Sequence, residues 1–274
     1  MIRTAPSARP HGPAASRSPL APRVVGAAAL AALLTVTGCS GHGGRGGGGS
    51  GAGAGAGAGP SAPADGGGRP GAAGSALPAL DSLDVKRPAT KTGYARDRFG
   101  SAWADTDGNG CGTRDDILKR DLRGAAFRDA KKCVVVSGTL PKDPYTGKSL
   151  SYQRGRSTVD IDHVVALSDA WQTGARQWPA RKRVALANDP LNLIAVEASA
   201  NRSKSDGDAA DWLPPYAGYR CTYVARQVAV KKKYGLWVTR AEKGAMAKVL
   251  NSCPRQALPG GGSPTEAPAR FTAK

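Results

Sequence analysis

The sequence predicts an α+β fold, a single mostly helical domain closed by two disulfides, between two low-complexity ends. Apolar residues recur at helical spacing in several segments, while short apolar runs bounded by turn residues indicate a few strands. Residues 41–76 are almost all Gly, Ala, Ser and Pro, and so cannot bury enough apolar surface to fold. Four cysteines follow this segment, and an even number is typical of disulfides in an exported domain.

The first half of the domain is expected to contain two helices and a hairpin. Residues 94–103 have three aromatic side chains at helical spacing, and a second helix is expected over residues 113–127. Residues 134–136 are β-branched valines, which favour a strand. Residues 143–147, Asp-Pro-Tyr-Thr-Gly, predict a turn with a hairpin strand on either side.

The second half opens with an apolar strand at residues 159–165, followed by a helix through Trp171. Another helix is expected from Pro179 to Ala187, because proline suits the first turn of a helix. The remaining elements are a strand at 191–196, a helix or tight turn at 197–204, and closing helices at 220–234 and 239–250.

Residues 1–39 have the features of a lipoprotein-type export leader. Residues 1–23 contain arginines and no acid, and residues 24–37 form an apolar run shorter than a membrane span of roughly 20 residues. Small residues precede Cys39, as in the lipobox of bacterial lipoproteins. We therefore expect lipidation of Cys39 and anchoring on the outer face of the cell membrane. The alternatives are an ordinary secretory signal, which gives an extracellular protein, and a start codon placed too early.

The expected organisation continues with a flexible tether at residues 40–76, one domain at residues 77–255 and a disordered tail at residues 256–274. A monomer is expected, and no protein partner is inferred. The four remaining cysteines permit three pairings, of which we favour the local ones, Cys111–Cys133 and Cys221–Cys253. A zinc cluster is the rival, but no pair has CxxC spacing.

The charge balance indicates an anionic partner. The whole chain carries +18, and residues 77–255 contain 31 Lys and Arg against 19 Asp and Glu, which is a net +12. A basic domain attracts nucleic acid through counterion release, largely without regard to sequence. A solvated surface, or attraction to an anionic cell envelope, explains the same charge. The basic stretches are 181–183, 231–233 and the pair Arg154 and Arg156.

One motif combines a base with candidate metal ligands. His163 is the only histidine after residue 76, since the other two are His11 and His42. A neutral imidazole is available as a general base near neutral pH. Asp162 directly precedes it, and the oxygens of an aspartate and an asparagine such as Asn201 suit Mg²⁺.

This ordered set resembles the HNH, or ββα-metal, nuclease family, in the branch found at the C-terminus of modification-dependent restriction enzymes and in many secreted bacterial proteins. The resemblance covers residues 160–204, with Asp-Ile-Asp-His-Val-Val, then Asn-Asp-Pro-Leu-Asn-Leu, then Asn-Arg-Ser-Lys. It implies a ββα-metal core and a metal-dependent endonuclease that hydrolyses DNA, with RNA as an alternative substrate. Little sequence specificity is expected, because no module that reads base edges is recognisable.

The resemblance also implies individual roles. His163 is the general base, and Asp162 and Asn201 are ligands of Mg²⁺, with Mn²⁺ as an alternative metal. Asn192 belongs to the catalytic motif, where its side chain pins the loop or the histidine. Asp160 either supports the ligands or lies on the surface. Structural explanations also exist, such as a helix cap for Asp162 and a turn for Asn201.

Three cations, Arg202, Lys204 and Arg114, are expected to bind phosphate. Residues 105–116 also fit a calcium-binding loop, with candidate ligands Asp105, Asp107, Asn109 and Asp116, although aspartate replaces the usual glutamate at the last position. A hydrogen-bonded turn that positions Arg114 is the alternative.

Other function classes fit less well. A serine hydrolase would need a GxSxG motif, and this motif is absent from the sequence. The cysteines after the leader are expected to be paired, which leaves no thiol nucleophile. The main rival is a non-catalytic basic envelope protein that binds nucleic acid or an acidic polymer.

Overall fold

The structure, a computed structural model, describes residues 74–156 and 158–273. It is an α+β fold with more residues in helices than in strands and with two disulfides, as predicted. The expectations for the leader and for most of the tether lie outside the described residues. In the described part of the chain, no helix is long and apolar enough to cross a membrane.

The helices follow the sequence closely in the second half of the domain. They are α1 (Ala76–Asp81), α2 (Thr113–Asp121), α3 (Leu167–Gln172), α4 (Ala180–Ala187), α5 (Ala198–Lys204), α6 (Arg220–Tyr234) and α7 (Arg240–Asn251). Local chemistry sets several boundaries. Thr239 and Glu242 form a capping box at the start of α7, and Gly235 ends α6 in the left-handed conformation.

Two antiparallel sheets complete the fold. The strands are β1 (Arg123–Phe127), β2 (Val135–Leu140), β3 (Leu150–Gln153), β4 (Val159–His163) and β5 (Leu193–Glu197). The first three form one sheet in chain order, while β4 and β5 pair with each other. In the second sheet, Asp162 lies opposite Ile194 and His163 lies opposite Leu193.

The β4–β5 pair lies between two hydrophobic clusters, because alternate residues of a strand face opposite sides. Ile194 and Val196 belong to the cluster formed with α1, α6 and α7, whereas Ile161 and Leu193 belong to the cluster formed with α2 and the other sheet. The polar residues of β4, such as Asp162 and His163, are therefore held in place by buried neighbours.

Both favoured disulfides are present. Cys111 bonds Cys133 and ties the loop before α2 to the start of β2, while Cys221 bonds Cys253 and joins the start of α6 to the end of α7. Each closes a loop of more than 20 residues, for which the stabilisation is about 3 kcal/mol.

Two expectations for the first half were wrong. The helix that begins at Thr113 ends at Asp121, and residues 123–127 form β1 instead of continuing it. The segment 94–103 forms only a short 3₁₀ turn at Arg96–Phe99, because Gly100 follows with a φ of 83°. That φ favours glycine and ends the helical path.

The boundaries of the domain also differ from those expected. Ser75 pairs with Ala257, so the domain begins a few residues before residue 77. The segment expected as a disordered tail lies along the domain: Ala267 is buried, and its amide donates to the carbonyl oxygen of Arg181 at 3.1 Å. Phe271 packs against the cluster formed by α3 and α4.

Candidate active site

His163, the last residue of β4, is buried with a defined tautomer. Its Nε2 lies 2.9 Å from the backbone oxygen of Ala187, at the end of α4. A carbonyl oxygen only accepts, so Nε2 carries the proton and the lone pair of the neutral ring is on Nδ1. Burial lowers the pKa of His163 to about 3, and nearby Arg96 and Lys204 act in the same direction. The imidazole is therefore neutral at physiological pH.

Asp162 has two buried partners. The hydroxyl of Tyr145 donates to its Oδ2 at 2.5 Å, and the Nζ of Lys204 lies 3.1 Å from its Oδ1. The same ammonium group donates to the backbone oxygen of His163 at 2.9 Å. Burial raises the pKa of Asp162, while Lys204 and Tyr145 oppose this rise. Lys204 thus holds the end of β4, from Asp162 to His163, in place.

Asn201 enters the site from α5, which packs against both β4 and β5. The helix starts beside β5, because the side chain of Glu197 accepts from the amide of Ala200 at 2.6 Å. The Nδ2 of Asn201 lies 3.5 Å from Asp160 Oδ2, which is a weak contact. Asp160 is half-buried on the same face of β4 as Asp162.

A polar pocket of about 210 Å³ brings these residues together. Asp162, His163 and Asn201 all line it, with Arg96 and Asp206. One strand, β4, and one helix, α5, which are separate in the sequence, thus deliver a carboxylate, an imidazole and an amide to one cavity. We call it the histidine pocket.

The donor set of the histidine pocket fits a hard divalent cation. Tyr145 and Lys204 use only part of the lone pairs of the Asp162 carboxylate, which still borders the cavity. Because Asn201 turns its Nδ2 toward Asp160, its amide oxygen is left as the neutral donor. One carboxylate and one amide oxygen, with water filling the other positions, are the ligands that Mg²⁺ prefers.

Asn192 lies outside the histidine pocket and is fully buried. Its Oδ1 accepts from the amide of Val165 at 2.8 Å, and its Nδ2 donates to the oxygens of Val165 and Leu186 at 3.2 and 3.4 Å. It therefore fixes the loop that follows His163 to the end of α4.

The three expected phosphate contacts have different environments. Arg202 is exposed in the last turn of α5. Lys204 is buried against Asp162, so it cannot reach a phosphate in this conformation, in contrast to the expected contact. Arg114 is half-buried and donates to the hydroxyl of Tyr152 at 3.1 Å. The charge of Lys204 suggested a phosphate contact, but charge alone does not reveal that the side chain is buried.

The basic stretches are also less exposed than their sequence indicates. Arg183 donates to the backbone oxygen of Arg98 at 2.6 Å and is buried. Lys231 is fully buried, 2.7 Å from Glu242 and 3.0 Å from Asp169. With Asp208, these two acids form a cluster of carboxylates that could hold a metal ion, but the ammonium of Lys231 already bonds two of them.

The candidate calcium loop is closed by its own hydrogen bonds. Asp105 accepts from the amides of Gly108 and Gly110 at 2.8 and 3.0 Å, and Asn109 bonds both Asp107 and Asp116. This is the arrangement of a hydrogen-bonded turn, and calcium binding stays a prediction.

Sequence reasoning gave no role at the site to three residues: Tyr145, Arg96 and Trp103. Tyr145 was expected only in a turn, and Arg96 only in a helix, yet Arg96 lines the histidine pocket. The ring of Trp103 is nearly parallel to that of His163, with 6.1 Å between centroids. These three residues lie 18 to 67 positions before His163 in the sequence, so no short motif connects them with it.

Comparison with known proteins identifies the class of domain. Residues 112–249 match the model of a family described as GmrSD restriction endonucleases, C-terminal domain. A protein of Arthroderma benhamiae named "Uncharacterized secreted protein" is 39% identical over 183 residues, which cover 66% of this chain and 86% of that protein. The chain therefore belongs to the family of the GmrSD C-terminal nuclease domains.

Proposed function

We propose that this protein is an exported, metal-dependent endonuclease of the HNH type that hydrolyses phosphodiester bonds in DNA, with RNA as an alternative substrate. The observation that carries the proposal is the histidine pocket, where His163, Asp162 and Asn201 meet in a member of a nuclease-domain family. We assign β4, β5 and α5 as the ββα-metal core, because β4 and α5 supply the three residues, while β5 pairs with β4 and packs against α5.

His163 is the proposed general base. The hydrogen bond to Ala187 orients the ring and leaves Nδ1 as the proton acceptor for an attacking water. A base with a pKa of about 3 is weak in the free protein. The negative charge of a bound phosphate raises that pKa, so the base gains strength when the substrate is in place.

Asp162 and Asn201 are the proposed ligands of Mg²⁺ or Mn²⁺. Such an ion neutralises charge on the phosphate and helps the leaving oxygen depart. Tyr145 and Lys204 hold the Asp162 carboxylate in one orientation, and Asn192 holds the loop after His163. Orientation of this kind contributes to catalysis because the reacting groups need no reorganisation.

Phosphate binding is assigned to two exposed arginines, Arg96 and Arg202. Arg96 borders the histidine pocket, and Arg202 lies one residue after Asn201 on α5. Guanidinium groups match the geometry of phosphate oxygens and stay charged at all relevant pH values.

The test is cleavage of plasmid DNA with Mg²⁺, with Mn²⁺ and with EDTA. His163→Ala is expected to reduce cleavage by at least ~100-fold, the usual scale for a general base, while binding of DNA persists. Asn201→Ala is expected to reduce cleavage with partial rescue at high metal concentration. Asn251→Ala, an exposed change at the end of α7, is the matched control and should cleave normally.

Two results would contradict the proposal. Cleavage that persists in EDTA would remove the metal from the mechanism, and near-normal cleavage by folded His163→Ala would remove the general base. Tight binding of DNA by the wild-type protein, with no cleavage under any metal, would favour the rival function of a basic envelope protein.

For the cell, we propose that residues 1–39 direct export, that Cys39 is lipidated and that the segment between Cys39 and Ser75 tethers the domain outside the membrane. The small residues before Cys39 support this proposal, and the name of the Arthroderma benhamiae relative agrees with export. Cys39→Ala should move the protein from the membrane fraction to the soluble fraction. Unchanged membrane retention would contradict lipidation.

A further inference from the structure

A second cavity shares His163 with the histidine pocket. It has a volume of about 300 Å³, and its wall also contains Phe99, Ala102, Trp103, Leu167 and Asn188. We call it the Trp103 pocket. Most of these side chains are apolar, and the volume lies at the small end of ligand-binding pockets. A single planar group therefore suits it better than an extended ligand.

Trp103 is held in an unusual backbone conformation at the edge of this pocket. Its φ is 60°, in the left-handed region that bulky residues rarely adopt. The next residue is anchored, since the hydroxyl of Thr113 donates to the oxygen of Ala104 at 2.5 Å. Strain that the surrounding structure maintains is typical of ligand sites. Here it presents a flat indole beside the His163 ring.

Asn188, which lines the same pocket, has an incomplete set of hydrogen bonds. The residue is 1% exposed, and its Nδ2 donates to the oxygen of Val184 at 3.0 Å. Its Oδ1 has no hydrogen-bond partner among the described residues. A buried acceptor without a donor is costly, so Asn188 leaves hydrogen-bonding capacity unused in the wall of the Trp103 pocket.

Arg96 connects the two cavities, because it lines both of them. Its exposed guanidinium can hold a phosphate next to His163 while the group attached to that phosphate extends toward Trp103. A nucleotide has this arrangement of a phosphate, a flat ring and ring N–H donors.

We propose that the Trp103 pocket binds the base of one nucleotide that flanks the scissile phosphate. This inference rests on the proposed nuclease function. A base can stack on Trp103 only after it has left the stack of a duplex, as in proteins that bind single strands through aromatic side chains. The protein should therefore cleave single-stranded DNA faster than duplex DNA of the same sequence.

The test compares single-stranded oligothymidylate with an abasic polymer of equal length, which keeps the phosphates and lacks the bases. Wild-type protein should prefer oligothymidylate in kcat/KM, and Trp103→Ala should reduce this preference about ten-fold, within the range for loss of one base–aromatic stack. Trp103→Phe should retain most of the preference. Trp178→Ala, which changes a half-buried tryptophan outside both pockets, should retain all of it.

Equal effects of Trp103→Ala on both polymers would overturn the proposal, because a change in the His163 environment would explain them. A second measurement separates this outcome from failure of the nuclease function. An oligonucleotide containing 2-aminopurine is titrated into His163→Ala protein with and without Trp103→Ala. Quenching that depends on Trp103 supports the pocket even if no cleavage is found, and binding without such quenching refutes it.

Discussion

Replacing Lys204 by methionine tests whether Asp162 depends on a buried counter-ion. The side chain of Lys204 is 0% exposed and that of Asp162 is 9% exposed, so water cannot replace the ammonium. Removal of one partner from a buried ion pair costs about 3–5 kcal/mol in free energy of unfolding. Tyr145 still donates to the carboxylate in the variant, so we expect the low end, about 3 kcal/mol.

The assay is urea unfolding at neutral pH, in which the midpoint falls while the m-value is kept. Lys91→Met is the matched control, because Lys91 forms an exposed pair with Asp206 at 2.7 Å, and such pairs contribute less than about 1 kcal/mol. The double variant Asp162→Asn/Lys204→Met should recover much of the loss, since no uncompensated charge remains buried.

The reasoning would be refuted if Lys204→Met lost no more stability than Lys91→Met. That result would mean that the ammonium of Lys204 reaches solvent, where it could bind phosphate as the sequence indicated. A loss of cleavage in the folded fraction, with normal binding of DNA, would further support an orienting role for Lys204.

Three further predictions concern residues that support the site from a distance. Asn192→Ala should lower the melting temperature and slow cleavage. Without this side chain, the buried backbone groups of Val165 lose their partners, at a cost of about 1–3 kcal/mol each. An unchanged melting temperature would contradict this prediction. Burial raises the pKa of Glu242 to about 7, above its unfolded value of 4.5. The contribution of Glu242 to the free energy of unfolding is therefore complete below pH 4.5 and is lost as the pH rises to about 7. In urea unfolding, Glu242→Gln should reduce this loss of stability with rising pH, and identical pH profiles of the variant and the wild type would contradict the prediction. Cys221→Ser should cost about 2–5 kcal/mol with normal cleavage of the folded fraction, and a specific metal defect would be unexpected.

The sequence predicted the elements whose signals are local. The helix α6 was expected at 220–234 and α7 at 239–250, and both are found within one residue, because apolar spacing and end signals agree there. The strand β1 was missed, since residues 123–127 carry no strand pattern of their own and pair with the adjacent strand β2. The tail was misjudged for a different reason, because its contacts are distant in sequence: Arg181 donates to the oxygen of Ala267, 86 residues later.

At the candidate site, too, local sequence patterns predicted some residues, while others contribute only through tertiary contacts. The spacing from Asp162 to Asn201 pointed to residues that do share a pocket. Tyr145 and Trp103 contribute through tertiary contacts, and each is an ordinary aromatic residue in its own segment. The sequence predicted which groups carry the chemistry, while the contacts that orient these groups required the structure.

The formal charge of the domain overstates the charge that is available to a nucleic acid. The domain has a net charge of +12 by sequence, yet Lys204, Lys231 and Arg183 are buried with fixed partners. These three cations hold Asp162, the α6–α7 interface and the start of α4 in place, so they are unavailable to a polyanion. The charge that a substrate meets at the site therefore comes from exposed side chains such as Arg96 and Arg202. A buried cation raises the formal charge of a domain without adding to its contacts with DNA, and the salt dependence of binding counts only the exposed ones.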